Sequence, residues 1–254
     1  MRSIAQLLME EKLVVDSKFK KQLERATKYL NTKNRIVLLT TSNRGKFTAK
    51  DGQDVPKSTR VAQVIQRSLG AHKCTLVDVS KLKIYECEGN VSSKDGNNCG
   101  VRASKLEDKE KNPSGNLRCW ASYNNPDDEL WKVATPLLEA DVVIFLGSIR
   151  WGQPNAIYQR LIERLDWIEN RWTTLGERNI VKDIESGFIF LGQNWNGAEA
   201  VKVQKQVHKF YGFTPVDQLY FNWQYTDDIY DESKDSYKDA VHALDDIFDI
   251  RTLL

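Results

Sequence analysis

Three short stretches of this 254-residue chain gather hydroxyls, amides, glycines and cations in patterns that suit ligand binding. The first pairs Thr41-Ser42-Asn43-Arg44 with Lys57-Ser58-Thr59-Arg60, where a helix is expected to begin. Hydroxyls, positive charge and the free N–H groups of a helix start favour an anion such as phosphate, because donors and helix dipole act together. Ser58 or Thr59 could equally be a plain helix cap. The second stretch is Gly147-Ser148-Ile149-Arg150-Trp151-Gly152-Gln153-Pro154-Asn155-Ala156. Its glycines and proline specify a tight turn, Trp151 offers a planar face, and Arg150 offers a cation to an electron-rich ring. The third, Gly192-Gln193-Asn194-Trp195-Asn196-Gly197, again combines glycines, amide donors and a tryptophan.

Other reactive side chains do not combine into a catalytic set. No GxxxxGK[ST] pattern occurs, which argues against a nucleoside triphosphatase. His72, His208 and His242 are far apart, in helical or strand-edge contexts, and read as surface or packing residues. Cys74 falls inside an expected strand and reads as a small core residue. Cys87, Cys99 and Cys119 have 11 and 19 residues between them and no CxxC, a looser spacing than zinc or cluster sites usually show.

The elements that must position these stretches alternate between helix and strand. Residues 2–30 read as helical, with Ile4, Leu7, Leu8, Phe19, Leu23, Ala26 and Leu30 at three- and four-residue spacings. The apolar stripe of this arm must land on the body of the chain or on a partner subunit. Apolar runs at 35–41, 74–79, 142–146, 186–191 and 216–221 read as strands. Helical periodicity covers 58–69, 127–139, 155–170, 197–210 and 234–248, while residues 85–126 read as a long polar insertion. This order predicts an α/β fold with a five-stranded parallel sheet of order 2-1-3-4-5 and helices on both faces. An arm over 1–33 would precede one domain over 34–254. Ligands of such sheets settle outside the carboxyl ends of the strands, where the strand order reverses. All three stretches fall at that edge.

Composition narrows the partners. The 37 basic and 35 acidic residues are mixed along the chain and leave a net charge of +2, so no nucleic-acid footprint is expected. Hydrophobic residues make up 41% and no stretch approaches the roughly 18 apolar residues of a membrane helix, so no membrane partner is expected. Charges interrupt the apolar positions of the amino terminus, unlike a secretory signal, so a cytoplasmic location with reduced thiols is expected.

From about Arg35 to Phe221 the sequence resembles the NADPH-dependent FMN reductase family of flavodoxin-like proteins. Residues 140–156, ADVVIFLGSIRWGQPNA, continuing to Leu161-Ile162-Glu163-Arg164, are similar to the family's strand, its Ser-Pro-X-Tyr flavin loop and the helix ending in Ile-Asp-Arg. Ile149 stands in place of the proline and Trp151 in place of the tyrosine. Thr41-Ser42-Asn43-Arg44 with Ser58-Thr59 approximates the family's phosphate loop, expanded by about a dozen residues before Lys57. The resemblance implies that Ser42, Arg44, Ser58 and Thr59 hold the phosphate of FMN. It places Ser148, Ile149, Arg150, Trp151, Gly152 and Gln153 along one side of the isoalloxazine, and Gly192, Gln193, Asn194, Trp195 and Gly197 along another.

The family further implies NADPH or NADH as donor, a quinone, azo compound, free flavin or similar small molecule as acceptor, and a homodimer or homotetramer. The flavin would carry the chemistry, which fits the lack of a side-chain triad. An FMN-binding electron carrier or redox sensor without pyridine-nucleotide turnover is the alternative. The family's iron–sulfur branch clusters its cysteines compactly after strand two, and Cys87, Cys99 and Cys119 depart from that pattern.

Overall fold

A computed structural model describes residues 2–43, 55–89, 98–192 and 196–224. Apolar runs become strands: β1 (Ile36–Thr40), β2 (Cys74–Asp78), β3 (Val142–Arg150), β5 (Glu185–Gly192) and β6 (Thr214–Gln224) form a parallel sheet ordered β2-β1-β3-β5-β6. This is the flavodoxin-like 2-1-3-4-5 order. A two-residue β4 (Gln153–Pro154) folds back antiparallel on the end of β3. Alternate side chains bury both faces, since Ile36 and Leu38 enter one core and Val37 and Leu39 the other. On the first face lie α1 (Ile4–Glu10), α2 (Ser17–Leu30) and α3 (Lys57–Leu69). The second carries α4 (Trp120–Asn124), α5 (Trp131–Glu139), α6 (Ala156–Arg164), α7 (Asp166–Thr173) and α8 (Gly197–Tyr211). Among the described residues no helix is long and apolar enough to cross a membrane.

Residues 2–30 form two helices rather than one. A Ser3 capping box starts α1, and the Asp16 carboxylate accepts the Phe19 N–H at 2.7 Å to start α2. Between them Lys12 adopts φ 52°, and Arg60 of α3 donates to the Glu11 carbonyl at 3.1 Å. The arm's apolar stripe lands on its own chain: Phe19 stacks on Trp223 of β6 at 4.9 Å and meets Phe221 edge-on at 5.7 Å. The helix expected over 155–170 breaks at Leu165 into α6 and α7. The one expected from residue 127 starts only at Trp131, because Asp128 is engaged elsewhere. The helix read over 234–248 lies outside the described residues.

Asp128 accepts a bidentate pair from Arg164 at 2.9 and 3.0 Å, and both side chains are fully buried. Arg164 also donates to the Tyr85 carbonyl at 2.7 Å and the Ser122 hydroxyl at 2.9 Å. The end of α6 thereby anchors both flanks of the insertion. Burial alone would push the Asp128 carboxyl up, but Arg164 and the N–H groups of Tyr85 and Leu130 outweigh it and hold it below the usual carboxylate range.

A second buried polar chain runs beneath β5 and β6. The Ser186 hydroxyl lies 2.7 Å from Tyr220 Oη, Tyr220 Oη 2.7 Å from His208 Nδ1, His208 Nε2 3.0 Å from Tyr158 Oη, and Tyr158 donates to Gln204 at 2.7 Å. One arrangement satisfies every member: each hydroxyl donates once towards Gln204, with the histidine proton on Nε2. His208 is therefore not a loose packing residue but the centre of this chain, and burial pushes its pKa down to about 3.

Two stability measurements test these networks. Asp128→Ala should lose about 3–5 kcal/mol in urea unfolding by stranding a buried guanidinium, while Asp128→Leu with Arg164→Met should lose much less. Because His208 stays neutral in the folded state and protonates when unfolded, its contribution is complete above pH 6.5. It should fall by about 1.4 kcal/mol per pH unit below that. Between pH 6.5 and 5 that slope should shrink in His208→Gln.

Candidate functional site

The carboxyl edge is assembled by the ends of β1 and β3. Just past β1, the Thr41 N–H donates to the Leu146 carbonyl at 2.9 Å. Asn155, directly before α6, joins the two loops. Its Nδ2 donates to the Thr41 carbonyl at 2.7 Å, and its Oδ1 lies 3.0 Å from Thr41 Oγ1 and accepts the Ser148 N–H at 3.4 Å. Its own N–H donates to the Ser148 carbonyl at 2.9 Å. Gly147 permits the approach, since a Cβ there would lie 2.4 Å from both Thr41 Oγ1 and the Phe190 ring. Gly192 does the same at β5, where a Cβ would lie 2.9 Å from the Ile149 carbonyl.

Ser42 follows β1, while Ser58 and Thr59 occupy the first turn of α3. The helix starts one residue before the position read as a cap. Pro56 stands at the N-cap with no side-chain bond, and neither Ser58 nor Thr59 caps anything. The first-turn N–H groups have no intrahelical acceptor. All three hydroxyls are buried, at 5%, 2% and 5% exposure, and among the described residues none has a hydrogen-bond partner. An unpaired buried hydroxyl costs about 1–3 kcal/mol. The Thr40 hydroxyl at the end of β1 is likewise buried without a partner, so the unsatisfied hydroxyls gather where β1 ends and α3 begins.

β3 runs to Arg150, beyond its expected end at 146, so the second stretch is a hairpin rather than a loop. Ile149 pairs with Pro154 and Arg150 with Gln153. Trp151 at φ 51° and Gly152 at φ 72° make the two-residue turn, a type I′ conformation. Trp151 is 80% exposed at the tip. Arg150 and Gln153 are also exposed, Ser148 is half-buried, and the Ile149 side chain enters the core. Asn196, itself left-handed at φ 68°, donates to the Gly152 carbonyl at 3.1 Å and braces the hairpin from the β5 side. Gly197 opens α8 against Asn222. Arg44, Gln193, Asn194 and Trp195 lie outside the described residues.

The fold thus brings Ser42, Ser58 and Thr59 to the β1 end, the hairpin to the β3 end, and Gly192 and Gly197 to the β5 end of one edge. Sequence reasoning did not single out Asn155 and Thr41 as the joint between them. The available signal was an asparagine directly after a proline at a helix start, where it does not cap. The four cysteines are free thiols, and among the described residues no group of three or more histidines, cysteines and carboxylates could hold a metal ion. Burial pushes Cys74 up to about 12 and raises Cys87 and Cys99 as well.

No protein-family model matches the chain, and no curated protein matches it. Among solved structures it is similar to RosB with bound 8-demethyl-8-formylriboflavin-5′-phosphate, at 10% identity and a TM-score of 0.50, covering 74% of this chain and 64% of that one. A flavone reductase matches at 10% identity and a TM-score of 0.44, over 74% of this chain and 54% of its own. The Trp repressor binding protein from Bacillus subtilis matches at 12% identity and 0.40, over 74% and 84%. The chain spans less than two thirds of the length of the first two. The RosB likeness supports the fold.

The hairpin conformation carries its own test. A left-handed backbone costs a bulky L-residue about 1–2 kcal/mol, whereas glycine adopts it freely. Trp151→Gly should therefore unfold at higher urea concentration than the natural sequence, and a destabilised variant would show that the indole packs on something that holds it.

Proposed function

We propose that this chain is an FMN-dependent oxidoreductase that passes electrons from NADPH or NADH to a small acceptor such as a quinone or azo compound. The observation that carries this reading is the trio of buried, unpartnered hydroxyls, Ser42, Ser58 and Thr59, at the sheet's switch point. RosB, which shares the fold, was solved with a riboflavin-5′-phosphate derivative, a ligand of the same class. When bound, FMN would supply the chemistry by taking an electron pair from the nicotinamide and giving it to the acceptor.

The chain's own residues would bind and orient. Ser42, Ser58 and Thr59 would donate to the phosphate, whose charge the N-terminus of α3 favours. The hairpin tip would set backbone N–H groups and the Arg150 guanidinium beside the ring, where donors stabilise negative charge. Trp151 would give a planar face to ligands above the edge. The joint made by Asn155 would hold these two parts at a fixed separation, which binding a rigid ligand requires.

The test combines colour, affinity and stability. Purified protein should bind FMN with a flavin-type visible spectrum, and anaerobic NADPH or NADH should bleach it. A colourless protein that ignores added FMN would overturn the reading. Binding without bleaching would leave the electron carrier. Ser58→Ala with Thr59→Val should weaken FMN binding by about tenfold or more, by removing two charge-assisted donors. The same pair should leave the FMN-free protein as stable as before or more so, because unsatisfied hydroxyls disappear.

A further inference from the structure

One face of α2 carries four cations and a single carboxylate, Glu24, which lies three residues after Lys21 and four before Lys28. Lys18, Lys21, Arg25 and Lys28 recur at spacings of three, four and three, which places them on a single exposed stripe. None of the four makes an ion pair among the described residues. Elsewhere Arg67, Lys33, Lys132, Lys202 and Lys205 each meet a carboxylate. The net charge of +2 conceals the asymmetry, because residues 225–254 carry nine carboxylates against three lysines and arginines.

The geometry brings the two together. Phe19, near the start of α2, stacks on Trp223, next to the last residue of β6. At the other end, Tyr29 of α2 donates to Glu185, and Glu185 pairs in register with Thr214, the first residue of β6. The helix thus runs antiparallel to β6, and a chain leaving Gln224 starts beside Lys18. The sheet face over β6, which a helix following that strand would otherwise cover, is already taken by α2. In sequence Asp228, Glu232, Asp235 and Asp239 recur at spacings of four, three and four, a match for the basic stripe read in the same direction.

We propose that residues 227–239 of the same chain dock along the Lys18, Lys21, Arg25 and Lys28 stripe, pairing carboxylates with cations in order from Asp228 beside Lys18 to Asp239 beside Lys28. The contact is electrostatic and intramolecular. It therefore weakens once salt shortens the screening length to about 3 Å near 1 M.

Zero-length carbodiimide coupling of the full-length protein at low salt, followed by mass spectrometry of its peptides, tests the contact. The expected products are amide links from Lys18, Lys21 or Lys28 to carboxylates within 227–239, formed inside one chain and lost near 1 M salt. A mixture of isotopically light and heavy protein reports the chain of origin. Links found only between chains would assign the stripe to a second copy and overturn the proposal, as would links from 227–239 to other lysines alone. Hydrogen exchange gives a second readout: amides of 227–239 should exchange about tenfold faster in Lys21→Glu with Arg25→Glu than in the natural sequence, the scale several exposed ion pairs supply together. Exchange of the β3 and β5 amides should stay unchanged. Equal exchange of 227–239 in both proteins would also overturn it.

Discussion

Asn155 hydrogen-bonds to the ends of two strands at once, and the geometry of the carboxyl edge depends on it. Parallel strands diverge into separate loops once the ladder ends, so nothing in the sheet itself fixes the distance between the β1 and β3 loops. A side-chain amide has both a donor and an acceptor, and here the donor serves Thr41 while the acceptor serves the Ser148 N–H and lies near the Thr41 hydroxyl. Gly147 and Gly192 remove the side chains that would hold these loops apart. The switch point is thus closed by a few polar contacts on a rigid apolar platform.

That platform is held from below by polar groups that leave little freedom to repack. The Arg164 and Asp128 pair fastens the long insertion to α6, and the Ser186 to Gln204 chain fastens α6 and α8 to β5 and β6. Apolar packing alone would tolerate sliding, since it rewards area rather than registry. A bidentate ion pair with no exposed atoms does not tolerate it, because any shift strands a charge.

The sheet was legible because short runs rich in Val, Ile and Phe, such as 142–146 and 186–191, alternate with helical periodicity, the pattern of strands buried on both faces of an α/β layer. Element ends were less legible where a side chain had a tertiary task. Asp127 and Asp128 look like a helix start, yet Asp128 serves Arg164 and the helix waits for Trp131. Leu165 carries no breaking signal, yet α6 ends there with the Leu165 N–H shared between the Leu161 and Ile162 carbonyls. The three candidate stretches were legible as compositions, and their described parts lie at the ends of β1, β3 and β5, as the strand order predicts. Asn155 was not, because its four contacts come from residues that are 7 and 114 positions away along the chain.

The buried hydroxyls and the exposed tryptophan are opposite departures from what folding alone favours. Folding would pair Ser42, Ser58 and Thr59 or replace them with apolar side chains, and it would place glycine or asparagine where Trp151 takes a left-handed backbone. Each choice lowers the stability of the ligand-free chain, and both sit at the same edge of the sheet. A ligand that satisfies the hydroxyls binds the native state and not the unfolded chain, so it returns that stability through binding. Elements that cost energy in the ligand-free chain suit an edge that binds something, and the apolar cores on both faces of the sheet supply the reserve that makes them tolerable.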